Sequence, residues 1–258
     1  MEVWIALLIA IGCVLIILVV SNIFYYPVFK RIWDVVLSGL AIIVLLPILL
    51  LLTIVGAIAM RGDPFFVQKR PGQKRANGQE RIIKLIKFRT MSNKKDKDGN
   101  FLPDAVRLNK YGKFLRSTSM DELPELFNIL IGDMSIIGPR PQLVRDMVFM
   151  NEEQRHRHDV RPGLSGLAQV NGRNSISWEQ KFKYDLVYIE KITLIKDVKI
   201  IIQTLLKVIK RENTIREGTV SDIDYGDWLL QEGKITKEEY EAKQKRAKEM
   251  LDEWLEIL

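Results

Sequence analysis

The chain has 258 residues, 39 Lys and Arg against 32 Asp and Glu, and a net charge of +7. That length allows one large domain or two small ones. Its single cysteine, Cys13, excludes a disulfide framework and a Cys-based zinc site.

Charge is distributed unevenly. Through Met60 the Asp, Glu, Lys and Arg side chains are only Glu2, Lys30, Arg31 and Asp34. Val3 to Val20 is apolar and has the length, about 18–20 residues, of a membrane-crossing helix. A cleaved signal peptide is disfavoured, because Glu2 stands where a basic start is expected and no small-x-small site follows. Lys30 and Arg31 just beyond the run place that side in the cytoplasm by the positive-inside rule.

A second apolar run, Val35 to Met60, has basic flanks on both sides and Pro47 near its middle. A proline inside a helix removes a backbone hydrogen bond and crowds the preceding turn. Each half is too short to cross a core of about 30 Å. A re-entrant helix-break-helix that enters and leaves on the cytoplasmic face satisfies charge, proline and length together. An ordinary spanning helix with a proline kink is the alternative.

The basic middle begins at Arg61. Phe65 to Gln68 and Ile82 to Phe88 predict strands, joined through a turn-rich stretch that contains Asn77-Gly78. Lys84, Lys87 and Arg89 suit phosphates, or equally a solvated face against acidic lipid headgroups. Ser92 to Asp104 reads as a surface loop, and Arg107 to Arg116 as an amphipathic stretch.

The adjacent carboxylates Asp121 and Glu122 follow. Ser119-x-x-Glu122 has the form of a capping box, which makes Glu122 a helix cap and Asp121 a dipole partner. The chemical alternative is that one carboxylate attacks phosphorus while the other takes a proton or helps to hold Mg²⁺. Arg116 and Arg140 would then neutralise phosphoryl oxygens, with Arg140 held between Pro139 and Pro141. Arg161, Gly163, Gly166 and Gly172 form a glycine-punctuated loop in which backbone can approach a ligand. His156 and His158 lack a third His or a Cys ligand nearby, so a metal reading there is weak. Neither GxGxxG nor GxxxxGK[ST] occurs, so dinucleotide-binding and P-loop readings have no motif.

These stretches, in order, resemble the bacterial sugar transferases, and more narrowly the small monotopic phosphoglycosyl transferases. The likeness is carried by KRIWDVVLSGLAIIVLLPILLLL, QKRPG, IIKLIKFRTM, STSMDELPELFNILIGDMSIIGPRP, the NEEQRHRHDVRPGLSGLAQVNGR block and LIKDVKIIIQTLLKVIK. It runs from about Phe29 to Arg211. It implies an α/β, mainly α, chain that transfers a sugar-1-phosphate from a UDP-sugar to polyprenyl phosphate, releases UMP and requires Mg²⁺. Asp121 would be the nucleophile that carries the phospho-sugar and touches the metal. Glu122 would assist proton transfer or the metal site. Lys30, Arg31, Lys87, Arg89, Arg116, Arg140, Arg161, Gly163 and Gln169 are the substrate-binding candidates. Leu46 stands where family members commonly have Ser before the helix-breaking proline.

Trp178 to Lys210 holds two amphipathic stretches, which suit a membrane interface or packing on the catalytic core. The acidic tail ends in a helical pair, punctuated by Gly233 and by Thr236-x-x-Glu239. That pair resembles the SHOCT-like helical hairpins and suits a surface hairpin, an oligomer contact or a partner site. The expected organisation is a transmembrane helix at 1–28, a re-entrant helix at 29–60, a cytosolic catalytic domain at 61–211 and the tail at 212–258. The expected location is the cytoplasmic membrane of a bacterium, with the catalytic domain on the cytoplasmic face. A membrane-anchored adaptor that binds anionic lipids and protein partners is the non-catalytic alternative. A nucleic-acid reading rests on charge alone and finds no motif.

Overall fold

The computed structural model describes residues 24–172, 176–210 and 223–253, with scattered positions between 4 and 20 that are helical. The rest of the predicted Val3–Val20 span lies outside the described residues. Among the described residues helices dominate, with two small sheets, in line with the mainly α expectation.

Helix α1 (Lys30–Met60) is long and apolar enough to cross a bilayer, and its helical assignment runs through Pro47. At 1.5 Å per residue it is roughly 46 Å long. One face touches protein along that whole length. Lys30, Asp34, Ser38, Leu49, Leu52, Gly56 and Met60 are buried, three to four residues apart where they are consecutive, as one helical stripe demands. Ala41, Ile42 and Leu45 fill the middle of the stripe against Ile83, Leu85, Leu126, Ile129 and Met134. Leu49 and Leu52 meet Phe88 and Leu115.

Both ends of α1 are bonded to the globular part. Lys30 Nζ lies 2.5 Å from buried Asp197 Oδ2, and Ile136 N donates to Asp34 Oδ1 at 3.0 Å. At the far end Asn109 Nδ2 donates to the Ala59 carbonyl at 3.2 Å, and Tyr111 Oη to that of Leu52 at 2.8 Å. The opposite face is bare and apolar: Ile43, Val44 and Ile58 are 71 %, 74 % and 74 % exposed. So continuous an apolar stripe marks a lipid or protein contact.

Strands β1 (Phe65–Lys74) and β2 (Glu80–Phe88) pair antiparallel, with Phe65 opposite Phe88. Gly78 takes φ +79° in the predicted turn, which glycine reaches without strain. Helix α2 (Lys110–Thr118) starts at Asn109, whose side chain accepts from Gly112 N. Helix α3 (Glu125–Ile131) follows the acid pair. Strands β3 (Ser135–Ile137) and β4 (Gly163–Ser165) pair in parallel and bring two distant turns together.

Helix α4 (Trp178–Glu190) turns Trp178, Phe182, Asp185 and Tyr188 inward. Helix α5 (Leu194–Lys210) buries Asp197 and Ile200 while Ile195, Ile202, Leu205, Leu206 and Ile209 face outward. Its two faces thus serve both the core and an apolar exterior. In the tail, α6 (Tyr225–Gln231) and α7 (Lys237–Glu253) pack onto the globular part. Tyr225 and Leu229 join Phe149, Met150, Trp178 and Phe182 in one buried cluster. Met250 and Leu251 rest on Ile82, Val144 and Met147.

Candidate active site

The acid pair sits in a sharp reversal. Helix α2 ends at Ser119, which takes the left-handed conformation (φ 57°), and a 3₁₀ turn over Met120–Glu122 follows. Ser119 makes no side-chain cap bond. The predicted capping box is therefore corrected: a left-handed Ser119 closes the preceding helix rather than opening the next. Glu122, released from capping, turns inward and is 9 % exposed.

Its charge is met there. Arg140 Nη2 lies 2.5 Å and Lys87 Nζ 2.9 Å from Glu122 Oε1, and Lys87 is 3.0 Å from Glu125 Oε1. Burial and the Glu122 charge raise the carboxyl of Glu125 well above its ordinary range, although Lys87 opposes them. Burial first, then the adjacent Glu122, also raise Asp121, against the pull of Lys87, Arg140 and Arg116.

Lys87 is aimed by its strand, and the strand is clamped by Asn128. Ile86 N donates to Asn128 Oδ1 at 3.0 Å, and Asn128 Nδ2 to the Lys84 carbonyl at 2.8 Å. Arg140 is aimed by its turn. Arg157 Nη2, paired with buried Asp185, donates to the Arg140 carbonyl at 2.6 Å, and Arg70 Nη1 to that of Pro141 at 3.2 Å. Gly138 and Gly163 let the two parallel strand ends meet: a Cβ on Gly163 would lie 2.1 Å from Gly138 N. Burial, and then the Arg140 charge, lower Arg70 to about 10.

A cleft of about 560 Å³ opens over this cluster. Asp121, Glu122, Lys87, Arg89, Arg116, Arg140 and Gln169 all line it. Four other candidates are placed elsewhere. Lys30 pairs with Asp197. Arg31 donates to the Ile129 and Leu130 carbonyls, and Arg161 to that of Gly132, all at the C-terminus of α3. A helix C-terminus exposes unpaired carbonyls with partial negative charge, which draws such cations. The close approach at Gly163 is to the backbone of Gly138. His158 is buried against Glu80, and His156 pairs with Asp159.

Arg70, Glu125 and Asn128 are absent from the sequence-based candidates. Their signal is slight: a polar Asn inside the apolar run LFNILI, and an acid one turn after the pair.

Residues 25–211 match the model of a family described as bacterial sugar transferase. The chain belongs to that family. It is accordingly an enzyme of the transferase class. It is similar to an uncharacterized sugar transferase of Bacillus subtilis, EpsL, with 42 % identity over 72 % of this chain and 89 % of EpsL. A UDP-glucose:undecaprenyl-phosphate glucose-1-phosphate transferase of Klebsiella pneumoniae is 39 % identical over 70 % of this chain. The exopolysaccharide production protein ExoY of Sinorhizobium fredii is 33 % identical over 68 % of it. The match spans 83 % of ExoY but only 40 % of the Klebsiella transferase.

Proposed function

We propose that the chain transfers a sugar-1-phosphate from a UDP-sugar to polyprenyl phosphate and releases UMP. The observation that carries this reading is the acid pair Asp121–Glu122 in a cleft ringed by Lys87, Arg116 and Arg140. The activity for which the Klebsiella relative is named supports it.

In this reading an Asp121 carboxylate oxygen attacks the phosphorus that bears the sugar. The bond from that phosphorus to the bridging oxygen breaks, and its electron pair leaves with UMP. A polyprenyl phosphate oxygen then attacks the same phosphorus, which frees Asp121 and gives the polyprenyl-diphosphate sugar. Arg116, Arg140 and Lys87 offset charge on the phosphoryl oxygens, as fixed cations do in phosphoryl transfer. Glu122 anchors Arg140 and Lys87 and would assist proton transfer in this reading.

The site fits Mg²⁺. Among the described residues no group of three or more His, Cys, Asp or Glu forms a ready-made cage. Mg²⁺ ordinarily takes one or two carboxylates, with waters and substrate phosphates completing its shell. Asp121 and Glu122 offer that pair; burial and then the Glu122 charge raise the Asp121 carboxyl, and a cation would offset both. When bound, Mg²⁺ would supply charge neutralisation at the diphosphate.

The location proposed is the cytoplasmic face of a bacterial membrane. A re-entrant α1 is supported by the bonds that tie both its ends to the same globular body. Its bare outer face, with that of α5, would enter lipid. The product would be the first lipid-linked sugar of a surface glycan.

Purified protein supplied with Mg²⁺, UDP-sugars and polyprenyl phosphate should release UMP. Asp121→Asn should lower turnover by about a thousandfold or more while the thermal melt is retained. An active Asn variant would remove the nucleophile assignment.

A further inference from the structure

The family match ends at residue 211, but the cleft continues beyond it. Ile223 and Asp224, from the acidic tail, complete its wall. They are fastened in place. Trp178 Nε1 donates to the Ile223 carbonyl at 3.1 Å, and Tyr225 N to buried Asp146 Oδ1 at 2.8 Å. The Tyr225 ring lies 5.2 Å from that of Trp178 and 5.0 Å from that of Phe182. Asp224 pairs with Arg145 and makes no side-chain cap bond to its own helix.

The walls of the cleft differ in chemistry. Around the acid pair, Lys87, Arg116 and Arg140 suit phosphate. The wall built by α4 and the tail instead presents carboxylates already held in ion pairs, Asp185 with Arg157 and Asp224 with Arg145, beside Trp178, Lys181 and Gln169. Asp185 Oδ1 and both polar atoms of the Gln169 carboxamide are buried without a hydrogen-bond partner. A buried polar atom left unpaired costs about 1–3 kcal/mol, so a ligand that pairs it is favoured. An ion-paired carboxylate still has lone pairs that accept hydrogen bonds from hydroxyl groups, and a carboxamide both donates and accepts. A polyhydroxylated ring carries the donors and acceptors that these three side chains call for.

We propose that the tail completes the subsite for the sugar ring of the donor, with Asp224 as a specificity-determining residue that accepts from sugar hydroxyls. This rests on the reading of a UDP-sugar donor given above. It gives the tail a role inside the cleft of its own chain.

The test compares kcat/KM for UMP release from UDP-glucose, UDP-galactose and UDP-N-acetylglucosamine. It uses the full-length chain and its Asp224→Asn and Asp224→Ala variants, with inhibition by UMP measured in parallel. Loss of one hydrogen bond to a charged acceptor should change the ratio between donors by about fivefold or more. The change should fall mainly on KM, with UMP inhibition held at the wild-type level. An equal loss for every donor would assign Asp224 a structural role and overturn the proposal. A changed UMP inhibition with unchanged donor ratios would move the residue to the uridine and overturn it too. No UMP release by the unaltered chain from any donor would overturn the donor reading and this proposal together. Unchanged ratios in an active chain would overturn this proposal alone.

Discussion

Arg140 Nη2 lies 2.5 Å from Glu122 Oε1, so the second carboxylate of the acid pair holds the arginine of the Gly138–Pro141 turn. The contact joins segments 18 residues apart and fixes a guanidinium beside Asp121. A planar fork can hold Glu122 and still present donors to a phosphoryl oxygen, which an ammonium on a flexible stem does less well. Arg140→Lys should therefore keep the fold and lower kcat/KM by on the order of a hundredfold. Wild-type UMP release by the lysine variant would remove Arg140 from the transition-state machinery.

Asn128 is buried and carries two bonds to the backbone of β2. Asn128→Ala leaves the Ile86 N–H and the Lys84 carbonyl without those partners. The expected cost is about 2–4 kcal/mol, with a matching fall in the denaturant midpoint. Lys87 should lose its position as well, so turnover should drop even where the variant is still folded. An unchanged midpoint would show that the clamp is dispensable.

Asp146 receives Tyr225 N and Leu143 N, yet its burial raises its carboxyl to about 6 from the ordinary 3.8. A carboxyl raised in the folded state binds more protons there than in the unfolded chain, so it costs stability as pH rises through that window. Asp146→Asn cannot ionise. Its stability relative to wild type should improve by on the order of 1–3 kcal/mol between about pH 4 and pH 7. Thermal melts across that range check the sign, and a gap that is constant with pH contradicts it.

Val28 is 60 % exposed, and a Cβ on Gly62 would meet no atom within 4 Å, so cysteines fit both positions flanking α1. In a Cys13→Ser background, each should resist an impermeant thiol reagent in intact cells and react after lysis. Labelling of only one from outside would mean that α1 crosses the bilayer.

Local chemistry was legible in the sequence wherever neighbours along the chain decide it. The Asn77-Gly78 turn, the pairing of Phe65 to Gln68 with Ile82 to Phe88, the stop at Gly233 and the start at Thr236 are read within a few residues. The acid pair and its arginines stood out as candidates for the same reason, and all four line one cleft. The role of Ser119 was not, because its dihedral angles depend on how α2 meets the following turn. The two-ended anchoring of α1 was also hidden. Lys30 finds Asp197 across 167 residues, a pairing that no local period encodes. The docking of the tail depends on Tyr225 reaching Asp146, 79 residues away. Sequence by itself determined the first hairpin, the long apolar helix and the amphipathic helices, and it named the acids and cations to look for, but it did not reveal β3 or β4. Tertiary structure decided which of those side chains share a cleft, because partners for buried charges and carbonyls exist only once distant segments have packed.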